Sequence, residues 1–539
     1  MSNSTHPIIH VTIKPMFNHL HHVESLSISL SVKSYIFKTG DTILSSQTAH
    51  TKRTDTDMPD RPVTDELGDF PMEISHPEPY TTKSCIASRD SSGDVNIFYK
   101  ACPATRKKMA DWDQPSAIDL KYDQGCIIGT GFSFIPLIAG DEDFRTVVEW
   151  NLDASPKGTR AVWTYGEGPD PIEKIGPASV LLDSVYMIGP INSTPPSTPP
   201  SEYGSYYFGT LPPNISLIND IHFPLFTKTA SFFNTPPPLY RSFTTLSPLS
   251  RTTHSTPLPH AHILTYTPQI HLIDDYTLIR RLTHSLLHPY LPPSWLGEGI
   301  KHLLSIYLPF RPPGQVRDGS YFQDTVNVLV ARYYTSPYLR VSMDRLLRLA
   351  EEEGDKDAHE HAGVRGWAYV LSVDLAARKV VPVTKPPQRP VEDLAVKPLV
   401  AGGRDWGIEE FIRCLTPLMG AEPRERYERM CEGTPILFPV ELFGAKSHRL
   451  VPVQQEVFEL GMERQAFEGG VVKGLKGGCR AEVAGVREGD EVVWKEMGDG
   501  FEGVVEVGVM RGEERLEFKW WPRGWERVES WRLEKVEDS

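Results

Sequence analysis

Alternating apolar and polar positions dominate the first third of the chain. Ile8 to Ile13 (IIHVTI) and Leu26 to Val32 (LSISLSV) put every second side chain on an apolar face, the period of a half-buried strand. Asp94 to Tyr99 (DVNIFY) and Arg145 to Trp150 (RTVVEW) repeat the pattern between turns rich in Gly, Asp and Pro. Short strands at such intervals predict a β-sandwich-like domain over residues 1–190 rather than an α/β sheet. The tract from Asn192 to Ser201 (NSTPPSTPPS) suits neither helix nor ladder and reads as a linker or exposed loop, residues 191–205. A second Ser/Thr/Pro-rich stretch, Thr235 to His262, shows no stable period.

After Asp274 the period becomes helical. Tyr276 to His288 (YTLIRRLTHSLLH) places Leu278, Leu282 and Ser285–Leu286 at helical spacings, and Pro289 ends the run. Ser294 suits the N-cap of a helix over Trp295 to Tyr307. Further helices are predicted over Tyr321 to Tyr334, Ser342 to Glu353, Val364 to Arg378 and Ile408 to Leu418, with the prolines between Val381 and Val396 marking a loop. Beyond Val451 the composition shifts to Gly, Val, Glu and Arg. Strand-like stretches there (Gly470 to Lys473, Glu491 to Trp494, Leu516 to Trp520) surround Ala481 to Asp490, AEVAGVREGD.

A chain of 539 residues is too long for one core. With 40% hydrophobic and 23% charged residues, it reads as an ordinary soluble globular protein. Its net charge of −14, from 70 Asp+Glu against 56 Lys+Arg, argues against a nucleic-acid partner, since phosphate binding needs a basic surface. No run approaches the ~20 apolar residues needed to span a bilayer, and the start of the chain lacks the pattern of a signal peptide. The six cysteines form no CxxC pair and are too sparse for a disulfide scaffold, which fits a reduced, cytoplasmic setting.

The segment that carries chemistry is Thr283-His-Ser-Leu-Leu-His288, followed by Trp295-Leu-Gly-Glu-Gly299. Histidines at i and i+4 share one helical face and can share a tetrahedral metal ion. A glutamate from the next helix, Glu298, can supply a third ligand and leave the fourth position to water. The zincin motif places a glutamate directly after the first histidine, as the base that takes the proton of the metal-bound water. Here that position is Ser285, and a hydroxyl cannot act as a base near neutral pH. Taken alone, the histidine spacing describes two ordinary helical histidines better than a metal site, because such spacing arises by chance. Tyr333 and Tyr334 read either as an oxyanion stabiliser or as a buried aromatic pair. His302 reads as facing the site or the helix surface, while His359 and His361 read as solvated in an acidic loop.

These residues resemble the glycyl aminopeptidase family of gluzincin zinc metallopeptidases, in its fungal-type form. The resemblance is carried by Asp119 to Ile135 (DLKYDQGCIIGTGFSFI), Trp150-Asn-Leu-Asp153, Pro156 to Trp163, Gly166-Glu-Gly-Pro169, Trp295 to Ile300, Leu308-Pro-Phe-Arg311, Tyr333-Tyr334, Arg365 to Tyr369 and Met430 to Gly433. It implies a multidomain α+β architecture: an N-terminal β-sandwich-like domain, a thermolysin-like, mainly helical catalytic domain over residues 206–445, and a C-terminal PDZ β-domain over 446–539. Gly474 to Asp490 resembles the PDZ signature, and Leu460, Gly461 and Met462 fall where its carboxylate-binding loop would offer amides to peptide or protein C-termini. The resemblance also implies zinc, with His284, His288 and Glu298 as ligands, and hydrolysis of N-terminal small residues from peptides.

The chain departs from the family pattern at Ser285, at Pro289 directly after His288, in the nine residues between His288 and Glu298, and in the Ser/Thr/Pro-rich region from Arg241 to Leu264. These departures point to an impaired hydrolase. The alternative is an inactive pseudopeptidase acting as a PDZ-containing scaffold. A third reading holds that residues 235–295 differ from the natural sequence.

Overall fold

The computed structural model describes residues 6–47, 63–75, 82–103, 119–140, 142–194, 202–235, 239–247, 254–267, 275–310, 319–381, 389–403, 405–440, 448–467, 470–497 and 503–536. The chain divides into two compact units, Met1–Ile221 with Pro238–Ile273, and His222–Pro237 with Asp274–Ser539.

The first unit is β-rich, as the alternating pattern predicts. A seven-stranded sheet runs in the order Ile172–Gly176, Phe144–Trp150, Ile8–Phe17, Val23–Lys33, Val95–Ala101, Val63–Asp65, Gly68–Asp69. Ile9, Val11 and Ile13 are fully buried while their neighbours are not, so strand period and core face coincide. Ile8–Ile13 pairs parallel with Arg145–Trp150, and the whole strand Ile8–Phe17 pairs antiparallel with Val23–Lys33. A five-stranded and a four-stranded sheet close over the same core, where Trp150 and Trp163 each pack against Tyr186 with ring centroids 6.3 Å apart.

A fourth sheet corrects the sequence reading of residues 235–262. Its order is Ile191–Thr194, Tyr203–Phe208, Tyr240–Leu246, Ala261–Tyr266, His254–Leu258, with parallel pairing on both sides of Tyr240–Leu246. Six consecutive residues of Tyr240–Leu246 and all of Ala261–Tyr266 are buried. Strands covered on both faces do not alternate, which is why no period shows. Thr244, Thr245 and Thr265 supply β-branched packing there. Asp123 ties the neighbouring sheet to this one, accepting hydrogen bonds from Thr245 Oγ1 at 2.8 Å and Leu246 N at 2.9 Å. The strands Ile191–Thr194 and Tyr203–Phe208, at the ends of the predicted linker, pair antiparallel; residues 195–201 between them lie outside the described residues.

The second unit is mainly helical. Helix α1 (Pro213–Phe233) begins in the first unit and ends in this one. Then come α2 (Asp275–Leu287), α3 (Trp295–Tyr307), α4 (Gly319–Tyr334), α5 (Met343–Glu351) and α6 (Lys356–Val380). Helix α6 starts eight residues before the predicted Val364, capped by the Asp355 carboxylate on Ala358 N at 3.0 Å. Glu392–Val396 forms a π-helical turn leading into α7 (Lys397–Ala401), where a loop was expected. Pro398 sits in the first turn of α7, the one place a helix tolerates it. α8 (Ile408–Met419) and α9 (Glu422–Cys431) complete the helical layer.

The chain from His448 onward joins the same unit. His448–Phe458 pairs antiparallel with Arg523–Lys535, and Glu491–Met497, Val505–Arg511 and Glu514–Trp520 form a three-stranded sheet. Two short helices, α10 (Arg464–Phe467) and α11 (Arg480–Ala484), lie between them in sequence. Asn327 of α4 exchanges two hydrogen bonds with the Leu533 backbone, and Arg464 pairs with Asp357 of α6 at 3.0 Å.

Candidate active site

Helix α2 carries His284 and ends at Leu287, because Pro289 biases the preceding residue out of helical geometry. His288 therefore lies outside the helix, its amide donating to the Ser285 carbonyl at 3.2 Å. Helix α3 begins at Ser294, whose hydroxyl accepts from Gly297 N at 3.2 Å. That cap places Glu298 in the first turn, where the helix dipole favours a carboxylate.

The Glu298 carboxylate is held at both oxygens. Oε2 lies 3.2 Å from His284 Nε2, and Oε1 accepts from Lys301 Nζ at 2.5 Å. The Lys301 side chain is 1% exposed and that of Glu298 28%. Burial pushes the Glu298 carboxyl up, but the hydrogen bonds and charges of His284 and Lys301 outweigh it and hold the group well below the usual carboxylate range. His302, one turn beyond Glu298, packs its ring against His284 with centroids 5.2 Å apart. Burial, joined by the charge of His284 and of Arg280 and Arg332, drives the His302 imidazole far below its ordinary range and keeps it neutral; Glu298 opposes this. Gly363 of α6 leaves the space these groups occupy, since a Cβ there would meet Glu298 Cβ at 3.1 Å and His302 Nε2 at 3.8 Å.

The predicted site residues thus separate. His284 and Glu298 come together, Ser285 is buried at 2% exposure, and His288 sits beyond the helix end. Tyr333 and Tyr334 form a buried edge-to-face pair with ring centroids 5.0 Å apart. The Tyr334 hydroxyl donates to Ile436 O at 2.8 Å, and the Tyr333 hydroxyl accepts from Ile436 N at 2.7 Å. His361 is not solvated: it lies within α6, buried, stacked on Tyr333 at 6.0 Å and 3.4 Å from Arg365 Nη2. Lys301 was missed in the sequence. The signal was a lysine three residues after the glutamate in an otherwise apolar helix, WLGEGIKHLLSIY.

No protein-family model matches the sequence, and no curated protein matches it. Among solved structures, an aminopeptidase N family protein from Idiomarina loihiensis superposes with a TM-score of 0.60 at 12% identity, covering 98% of each chain. The fold is shared with that protein. Two others align less closely. The M1 zinc metallopeptidase from Deinococcus radiodurans is 14% identical over 81% of this chain and 96% of its own, with a TM-score of 0.46. Leukotriene A4 hydrolase from Saccharomyces cerevisiae is 12% identical over 79% and 67%, with a TM-score of 0.46.

Zinc, the metal that the sequence resemblance implies, sets definite demands on its donors. Bonds of about 2.0–2.2 Å at tetrahedral angles separate two ligand atoms by roughly 3.3–3.6 Å, and the His284–Glu298 spacing of 3.2 Å lies just under that edge. The remainder does not fit. Among the described residues, no three His, Cys, Asp or Glu groups converge on one point, and a buried ammonium occupies the second carboxylate oxygen.

In the C-terminal part, Gly461 takes the left-handed conformation at φ +94°, where a side chain is strained and a Cβ would meet Cys479 Sγ at 2.8 Å. Leu460 and Met462 point into the small core. The carbonyl of Leu460 accepts from Trp520 Nε1 at 3.2 Å, and that of Gly461 from Lys476 N at 2.9 Å. Among the described residues, no helix is long and apolar enough to cross a membrane.

Proposed function

We propose that this chain is a metallopeptidase-fold protein related to zinc-dependent glycyl aminopeptidases, with hydrolysis of N-terminal small residues impaired. The observation that carries this reading is the buried Ser285 hydroxyl directly after His284, where a hydrolase of this kind needs a carboxylate base. Losing a positioned base removes roughly 10²–10⁴-fold of rate. Tyr334, the other candidate, is engaged at Ile436 rather than presented to His284 and Glu298. The six cysteines, none in a disulfide, support a cytoplasmic setting.

The pseudopeptidase reading is favoured by the Leu460–Met462 turn, whose left-handed glycine and inward-tied carbonyls suit a loop offering amides to a peptide C-terminus. Assay of the full chain on glycyl and alanyl anilides decides between impaired and ordinary hydrolysis. Turnover far below the ~1–10³ s⁻¹ of ordinary enzymes is expected; a kcat inside that range would sink the proposal. Peptides with free C-termini, titrated against the same protein, test the scaffold reading, which fails if amidated peptides bind equally well.

A further inference from the structure

We propose that a cleft between helices α4 and α6 and the C-terminal part of the second unit binds a small monocarboxylate with an apolar substituent, and that Arg332 takes the carboxylate. The inference stands apart from the proposed function, since none of the residues that carry that reading lines the cleft.

The cleft is assembled from distant stretches of sequence. The last turn of α4 supplies Arg332, and the first turns of α6 supply Asp357, Glu360 and Val364. Phe458, Arg464 and Met497 come from the C-terminal part. Hydrogen bonds fix the seam beside them: Phe458 N donates to Thr335 O at 2.9 Å, and Arg523 Nη1 to Thr335 Oγ1 at 3.0 Å. With its open mouth included, the cleft holds about 540 Å³. Little of that space is enclosed, which suits a small molecule rather than a folded partner.

Arg332 is the group that calls for a ligand. Its Nε is buried without an acceptor, and its guanidinium has no hydrogen-bond or ion-pair partner among the described residues. A guanidinium is always charged, and withdrawing one from water without an acceptor is costly. Such an unsatisfied donor in a folded protein needs a reason. The other charges at the cleft leave it unanswered. Asp357 is already paired with Arg464 at 3.0 Å, and Glu360 is exposed to solvent.

The same inventory sets the ligand chemistry. An arginine fork matches a carboxylate or a phosphate. Asp357 and Glu360, both lining the cleft, repel a dianion more than a monoanion, which favours a single carboxylate over phosphate. Val364 is buried, and Phe458 and Met497 are half-buried, so an apolar group attached to that carboxylate has carbon to pack against.

The test titrates the full chain calorimetrically with hydrocinnamate, with its neutral amide and with inorganic phosphate. Hydrocinnamate should bind saturably at one site, and the amide at least about tenfold more weakly, because it cannot make the charge-assisted bonds. Phosphate should also bind more weakly than the acid. Arg332→Met, which keeps the apolar stem, should weaken the acid by a similar factor and leave the amide unchanged. Arg332→Lys, which keeps the charge without the fork, should recover part of the loss. In wild type alone, three results overturn the proposal: no saturable binding below about 10 mM, equal affinity for acid and amide, or phosphate bound more tightly than the acid. So does a folded Arg332→Met protein that binds hydrocinnamate as tightly as wild type.

Discussion

Gly299 and Gly366 set how closely α3 and α6 approach each other. A Cβ on Gly299 would lie 2.3 Å from Gly366 C and 2.4 Å from Trp367 N, and one on Gly366 would lie 2.4 Å from the Trp295 carbonyl oxygen. The obstructing atoms are backbone, which cannot swing aside. Gly299→Ala should therefore force the helices apart and destabilise the second unit by about 1–3 kcal/mol, read as a lower denaturant midpoint at unchanged m-value. Loss below about 0.5 kcal/mol would mean that the crossing is looser than these distances require. The glycines of WLGEG thus have a packing reason, independent of any ligand. Lys301 was not legible in the same way. A lysine is almost never fully buried unless paired; the i,i+3 spacing to Glu298 can be read from the sequence, but the burial of Lys301 shows only in the structure.

At the scale of elements, legibility followed periodicity and caps. Ser294 signalled the start of α3, and the helix begins one residue later. The strands Ile8–Phe17 and Val23–Lys33 announced themselves because each has one buried face. Tyr240–Leu246 and Ala261–Tyr266 did not, because both faces are covered. Helix α6 was read short at its N-terminus because Gly363 and two histidines interrupt the expected apolar stripe; His361 is buried against Tyr333, and Arg365 donates to Val341 O and Tyr338 O at 2.6 Å each. The cap on α3 has a measurable consequence. Ser294→Ala removes the acceptor for Gly297 N and should cost about 1 kcal/mol, whereas Ser294→Asp should restore most of it. Equal stability of Ser294→Ala and wild type in urea unfolding would show that the Ser294 hydroxyl does not hold the turn that positions Glu298.

At the scale of the whole molecule, each unit contains at least one buried histidine held neutral, His262 in the first and His361 besides His302 in the second, and this fixes the direction of its acid sensitivity. His262, in the first unit, is pushed down to about 4 by burial; its Nδ1 lies 3.3 Å from Ser242 Oγ. His361, in the second, is pushed down to about 3, by burial first and then by the positive charge of Arg365. An unfolded histidine titrates near 6.5. Between that value and the folded ones, the unfolded chain binds more protons, so stability must rise with pH across the window. The contribution is fully present above about pH 6.5 and is lost as pH falls towards 4 for His262 and 3 for His361. Its upper bound is on the order of 3 kcal/mol for His262 and on the order of 5 kcal/mol for His361. The expected observation is a Tm that falls steadily from pH 7 to pH 5, before most carboxylates titrate. His262→Gln, which keeps a polar group towards Ser242, and His361→Phe, which keeps a ring against Tyr333, should each flatten part of that slope whatever they do to stability at pH 7. A slope unchanged in the double variant would mean that other groups carry the proton uptake, and that the two imidazoles are not the acid-sensitive points of their units.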